Sequence, residues 1–200
     1  MKKNNAVALQ GILKSVRSID NINSMPYSGH EAIVETLRLS DVPDEAVVIA
    51  PDYMHVDNIG VNKPVKIVGV MQTFKNFITG KVLVYVLATE IREIEVGHWE
   101  YENEVFIRGK LGKGSTYRET PSGKRITDIF VNVDNVVKEG SCHIPCICWQ
   151  RTADMVKNWE EGQKVVFKGR LQSRQYIKRL DETEEERIAY EVSINVIERE

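Results

Sequence analysis

Apolar and polar residues alternate with a period of two along most of the chain, the pattern of strands whose two faces meet different surroundings. In the second half the alternating runs are Val105–Leu111, Thr127–Val133, Ile144–Trp149, Val165–Ile177 and Ile188–Ile197. They are rich in β-branched and aromatic residues and are bounded by Gly, Pro or charged turns. Between the third and fourth lies RTADMVKNWEEG, which reads as one short helix. Thr152 suits its cap, Met155, Val156 and Trp159 share a face, and Gly162 suits its end.

The first half carries the same order of runs. NNAVALQGIL (Asn4–Leu13) matches ENEVFIRGKL (Glu102–Leu111), placing Gly11 on Gly109. PVKIVGVMQT matches KVVFKGRLQS, placing Gly69 on Gly169, and YSGHEAIVETLRL matches PSGKRITDIFVNV. VYVLATEIRE and AYEVSINVIER close the two halves, and PDYMHVDNIG, with Asp52 as its cap, stands where the helix does. Repetition in the same order argues for a duplicated unit of roughly 100 residues. The polar link EVGHWEYEN separates units at 1–98 and 101–200. Five strands with a helix between the third and fourth is the order of an OB fold. The expected architecture is all-β with short helices: two tandem OB-fold five-stranded Greek-key barrels.

Charge changes this picture in one place. The chain as a whole is slightly acidic, with 27 Lys and Arg against 29 Asp and Glu. Yet FKGRLQSRQYIKR (Phe167–Arg179) has only positive charges, and at period two Lys168, Arg170, Arg174, Tyr176 and Lys178 fall on one face. In the first strand of the same unit Phe106, Arg108 and Lys110 oppose the apolar Val105, Ile107 and Leu111. Phe130 similarly opposes Ile129, Val131 and Val133. The loop GKGSTYRETPSGKR adds Lys113, Tyr117, Arg118, Lys124 and Arg125. Outward rings beside outward cations suit a single-stranded nucleic acid, whose phosphates take the cations and whose unstacked bases take the rings.

These residues resemble the bacterial single-stranded DNA-binding protein family. The likeness runs through NEVFIRGKLGKGSTYRETPSGKRITDIFVNV, HIPCICWQRTADMV and EGQKVVFKGRLQSRQY, essentially all of the second unit. It implies that Trp149 and Tyr176 stack on bases and that Arg108, Lys110 and Arg118 touch the backbone. It also implies assemblies of four OB folds, hence a homodimer for a chain with two. With the strands offset by 100, Trp149 falls on Ile49, Arg170 on Val70, Arg174 on Phe74 and Tyr176 on Asn76. The first unit, with ten basic and eleven acidic residues, is therefore expected to serve assembly. A second candidate surface there comprises Phe74, Lys75, Phe77 and Lys81. The family's flexible tail with an acidic tip has no counterpart after NVIERE; replication or repair proteins stay open as partners, without such a tail in this sequence to recruit them.

Other features carry less. Cys142, His143, Cys146 and Cys148 lack the distant second pair of a structural zinc site, and two of the thiols share a face directed inward. The run Asp181–Glu186 reads as a solvated hairpin tip. No phosphate loop or nucleophile–histidine arrangement appears, so neither an enzyme nor a cofactor is expected. The few cysteines and the absence of a long apolar run or an h-region point to a cytoplasmic protein. A protein-interaction module for replication or mobile elements, and a binder of single-stranded RNA, remain consistent with the same surface.

Overall fold

A computed structural model of the chain describes residues 4–19, 28–75, 80–95, 97, 99–180 and 183–198. The first five strands are β1 (Asn5–Ile19), β2 (Gly29–Leu37), β3 (Pro43–Pro51), β4 (Pro64–Lys75) and β5 (Val82–Glu93). The next six are β6 (Glu102–Leu111), β7 (Thr116–Glu119), β8 (Arg125–Asp134), β9 (Ser141–Trp149), β10 (Lys164–Leu180) and β11 (Thr183–Glu198), with helix α1 at Arg151–Val156. Strands β1, β2, β3, β5 and β4 pair in a closed ring, antiparallel except for β3 with β5. Strands β6, β8, β9, β11 and β10 repeat it, antiparallel except for β9 with β11. Each ring is an OB-fold barrel, and closure satisfies most strand edges internally. The short β7, inside a segment expected to be loop, adds to the free side of β8. Among the described residues no helix is long and apolar enough to cross a membrane.

The matched glycines stand at close backbone approaches within each barrel. A Cβ at Gly11 or Gly109 would lie 2.2 or 2.3 Å from the carbonyl oxygens of Glu35 and Asn132. At Gly69 and Gly169 it would meet those of Leu87 and Ser193 at 2.4 and 2.1 Å. Only glycine fits so close an approach. Beside the second pair each barrel carries the same bulge, with Thr89 in β5 and Asn195 in β11 as the extra residues.

Two expected local details differ. Thr152 lies inside the first turn of α1 rather than at its cap, and its hydroxyl donates to Trp149 O and accepts the Trp149 N–H. The helix ends at Val156, well before Gly162, with Met155 exposed. Trp159 still packs onto the barrel, its ring stacked 6.3 Å from Phe167. In the first barrel two single 3₁₀ turns, Asp52–Met54 and Val56–Asn58, replace the helix, with Pro51 rather than Asp52 at the cap.

The barrels join edge to edge. The N-terminal half of β1 pairs antiparallel with that of β6, and the matched residues Val7 and Val105 face each other at the centre. Asn5 opposes Ile107 just as Leu9 opposes Asn103, so a local two-fold relates the halves. Matched amides clamp matched strands. Asn5 exchanges bonds of 2.7 and 2.9 Å with the Met71 backbone, and Asn103 bonds of 2.9 and 2.7 Å with the Leu171 backbone.

Beyond the clamps each long hairpin reaches onto the other barrel. From β4, Gln72 accepts the Val136 N–H and the Cys142 thiol, both at 3.2 Å. From β10, Ser173 donates its N–H to Asp44 at 3.0 Å and accepts the Glu45 N–H at 2.9 Å. Asp44 is buried and also holds Arg38 through two bonds of 2.6 and 2.7 Å and the guanidinium of Arg170. Removing this carboxylate leaves two half-buried cations without their anion. Asp44→Ala is expected to cost about 3 kcal/mol of stability, read as a lowered Tm in thermal melts. A melt identical to the parent's would show that Asp44 does not hold the barrels together.

Candidate nucleic-acid interface

A groove of about 820 Å³ lies where the two long hairpins approach the outer face of β8 and β9. Its floor follows from cross-strand pairing. Phe130, 42% exposed, stands opposite Pro145, and His143 stands opposite Asn132 and bonds its side chain. One wall is the β10–β11 hairpin with Tyr176, Arg187 and Tyr190. The other is the β4–β5 hairpin with Thr73, Lys75 and Lys81. Arg174 places its guanidinium 5.8 Å from the Tyr176 ring centre. Glu185, Glu186 and Glu191 also line the groove, so its charge is mixed.

The structure thus brings together four residues singled out in the sequence: Phe130, Tyr176, Lys75 and Lys81. Phe77 lies outside the described residues, and so does the side chain of Lys178, whose backbone pairs with Glu185. The carboxylates Glu184–Glu186, expected at a solvated tip, sit in β11 opposite the basic end of β10. Sequence reasoning missed His143, Pro145, Arg187 and Tyr190. The first two were legible from alternation, since they share a face of β9 with Trp149.

Other candidates lie apart from the groove. Trp149 ends β9, half-buried and opposite Ile126. Near that end of the barrel Arg125 pairs with Asp154 at 2.9 Å, and Tyr117 donates its hydroxyl to the same residue at 3.1 Å. Arg118 pairs with Asp128 at 2.8 Å. Lys110, Lys113 and Lys124 are exposed. Arg108 is half-buried and its N–H donates to Asn4 O. Phe106 and Lys168 line a different cleft, of about 470 Å³, on the outer side of the shared sheet, and Lys168 pairs with Glu198 at 2.6 Å. Arg170, expected among the outward cations, is engaged by Asp44.

The corresponding face of the first barrel is sealed. Strand register shows that Ile49 corresponds to Ile147, and Pro51 rather than Ile49 to Trp149: Ile49 pairs with Leu87 as Ile147 pairs with Ser193. The offset changes because the β9–β10 connection is longer than the β3–β4 connection. Val47, Ile49 and Tyr85 are buried there with Ile19, and Ile33, Phe74, Leu83, Leu87 and Tyr190 pack around them. At the matching positions of β11 the second barrel has Ala189, Glu191 and Ser193.

Burial governs the titratable groups. Cys142, Cys146 and Cys148 are buried in the second barrel; desolvation pushes Cys148 up to about 12 and Cys146 well up, so those two thiols stay protonated. Glu191, 7% exposed, accepts from Gln172 at 3.0 Å and lies 3.6 Å from Arg174. Desolvation raises its carboxyl despite those partners.

Two OB barrels joined at their first strands, with one open outer face, define a class of chain. Residues 102–199, the second barrel, match the model of the single-strand binding protein family. It is similar to single-stranded DNA-binding protein 1 of Staphylococcus aureus strain COL and to single-stranded DNA-binding protein 2 of strain MSSA476. Each is 34% identical over 80 residues, covering 37% of this chain and 48% of the relative. The chain thus spans about half the length of these relatives. Among solved structures, a deletion variant of the single-stranded DNA binding protein from Thermus aquaticus superposes with a TM-score of 0.74 at 19% identity, covering 98% of this chain and 94% of that one. The wild-type Thermus aquaticus protein gives 0.71 at 19% identity, over 98% and 92%. At that identity the likeness is one of fold.

Because burial raises Glu191 above its unfolded value, its contribution to stability is full at acidic pH and is lost as pH rises through the folded-state value. Glu191→Gln is expected to flatten the fall in Tm as pH rises from about 4, the ordinary carboxylate range. A pH profile of melting unchanged by the substitution would show that this carboxyl is not desolvated.

Proposed function

We propose that the chain binds single-stranded DNA with little dependence on sequence, without chemistry on the strand, in replication, recombination or repair. The observation that carries this is the groove in which Phe130 and Tyr176 present ring surface beside Lys75, Lys81 and Arg187. Bases are to stack on the rings while cations of both barrels take phosphates. Trp149 and the cations Arg108, Lys110, Lys113, Arg118, Lys124 and Arg125 extend the path around the second barrel. The names of the Staphylococcus aureus relatives support the same ligand. The sealed apolar face supports a scaffold role for the first barrel, which contributes the lysine wall rather than a stacking face of its own.

Titration with dT oligomers is expected to weaken with salt, with a log–log slope of about −0.7 per phosphate neutralised. Tyr176→Ala and Trp149→Ala are each expected to cost about 1–3 kcal/mol of binding. Parental affinity in both would show that these rings do not stack. Equal affinity for rU oligomers would extend the ligand to RNA, and no binding to either would favour a protein-interaction module.

The same reading includes a homodimer with four barrels. Half-buried Ala6, Ala8, Val68 and Phe106, with exposed Val196, form an apolar strip across the sheet that both barrels share. A second copy covering this strip would double the mass measured by light scattering. Phe106→Glu is expected to halve that mass and leave dT binding per chain intact. An unchanged mass with weakened dT binding would return Phe106 to the DNA path.

A further inference from the structure

The mouth of the groove is bridged by one carboxylate. Glu185 of β11 receives two bonds from the guanidinium of Arg187, at 2.9 and 2.6 Å, both on Oε2. Its Oε1 lies 3.7 Å from Nζ of Lys81, at the start of the other barrel's hairpin. Arg187 stands opposite Tyr176 in the β10–β11 ladder, and the two side chains interact. Two cations from different barrels therefore converge on one anion, beside an exposed ring. That is the arrangement a nucleotide needs: a paired guanidinium and ammonium for the phosphate, and a ring for its base.

We propose that Lys81 and Arg187 form a phosphate subsite shared by the two barrels, and that Glu185 occupies it as an internal substitute until a phosphodiester displaces it. The proposal rests on the single-stranded DNA reading given above. A carboxylate and a phosphodiester each offer two anionic oxygens to the same donors, so the exchange keeps both cations partnered and releases the exposed Glu185 carboxylate to water. Hydrogen bonds from Arg187 hold the Glu185 carboxyl below the usual carboxylate range, so it occupies the subsite as an anion at neutral pH. The pair is weak enough to yield. Glu185 and Lys81 are both substantially exposed, and such ion pairs are screened by water and salt. Strand entry thus exchanges one weak ionic contact for another and gains the base stack on Tyr176. The subsite also explains why a hairpin of the sealed barrel carries Lys81 to the groove of the open one.

The test is the affinity of the full chain for a labelled dT oligomer, read by fluorescence anisotropy at two low salt concentrations. Glu185→Gln, which keeps shape and removes the competing charge, is expected to bind about two- to fivefold more tightly than the parent. Adding Lys81→Gln is expected to abolish that gain and to make the log–log salt slope shallower by about 0.7. Glu186→Gln makes the same change of net charge one residue on and is expected to give a smaller gain. If the parent binds dT but Glu185→Gln binds no more tightly, Glu185 does not hold the subsite. A gain that survives Lys81→Gln, or an equal gain from Glu186→Gln, would also overturn the proposal. Failure of the parent itself to bind dT overturns the DNA reading and the subsite together, a result distinct from the others.

Discussion

The antiparallel pairing of β1 with β6 is the constraint on which the rest of the molecule depends. Each barrel closes by using the C-terminal part of its first strand, and this leaves the N-terminal part with an open row of N–H and C=O groups. An open edge invites pairing with any available strand. Here the two open edges satisfy each other, centred on Val7 and Val105. That choice sets the two-fold relation between the halves, places β4 and β10 on either side of the joint, and aims each long hairpin across the other barrel. The Asn5 and Asn103 clamps, the Gln72 contacts and the Asp44 cluster all lie where that geometry delivers them.

One topology then supports two opposite surfaces. In both barrels the parallel strand pair turns one side away from the barrel interior. Val47, Ile49, Leu83, Tyr85 and Leu87 make it a second small core in the first barrel. Burying such side chains stabilises by roughly 1.5–3 kcal/mol each, so this face is committed to packing. Ala189, Glu191 and Ser193 at the matching places provide no such burial, and the face beside them stays open between the hairpins. The difference arises from side chains, since strand order, bulges and matched glycine positions are shared.

Period-two alternation made most of this architecture legible. It separates core from surface in β6, β8 and β9, where Ile107, Ile129, Val131 and Cys146 are buried as their positions require. The glycine matches were legible because a backbone contact of just over 2 Å admits no other residue. Alternation failed where a side chain meets the other barrel. Arg170 and Gln172 fall on the basic face of β10, yet one is held by Asp44 and the other is buried against Glu191. No local pattern encodes a partner 126 residues away. The Trp149 match slipped for a similar reason, because the longer connection after β9 shifts the count without shifting the strands. The groove itself was half legible. Its rings and lysines stood out as types, but their convergence depends on two hairpins from different halves of the chain meeting over one sheet.

The crossed hairpins have a consequence for how the molecule comes apart. Each hairpin belongs covalently to one barrel and by hydrogen bonds to the other. Lifting either one strips buried polar groups of their partners in both halves: Ser173 and Asp44 on one side, Gln72 and the Val136 N–H on the other. Local opening of one half alone therefore carries much of the free-energy cost of opening both. The two repeats are therefore expected to unfold as a single cooperative unit, and a fragment holding only the open barrel would lack the partners that Ser173 and Cys142 find in the other half.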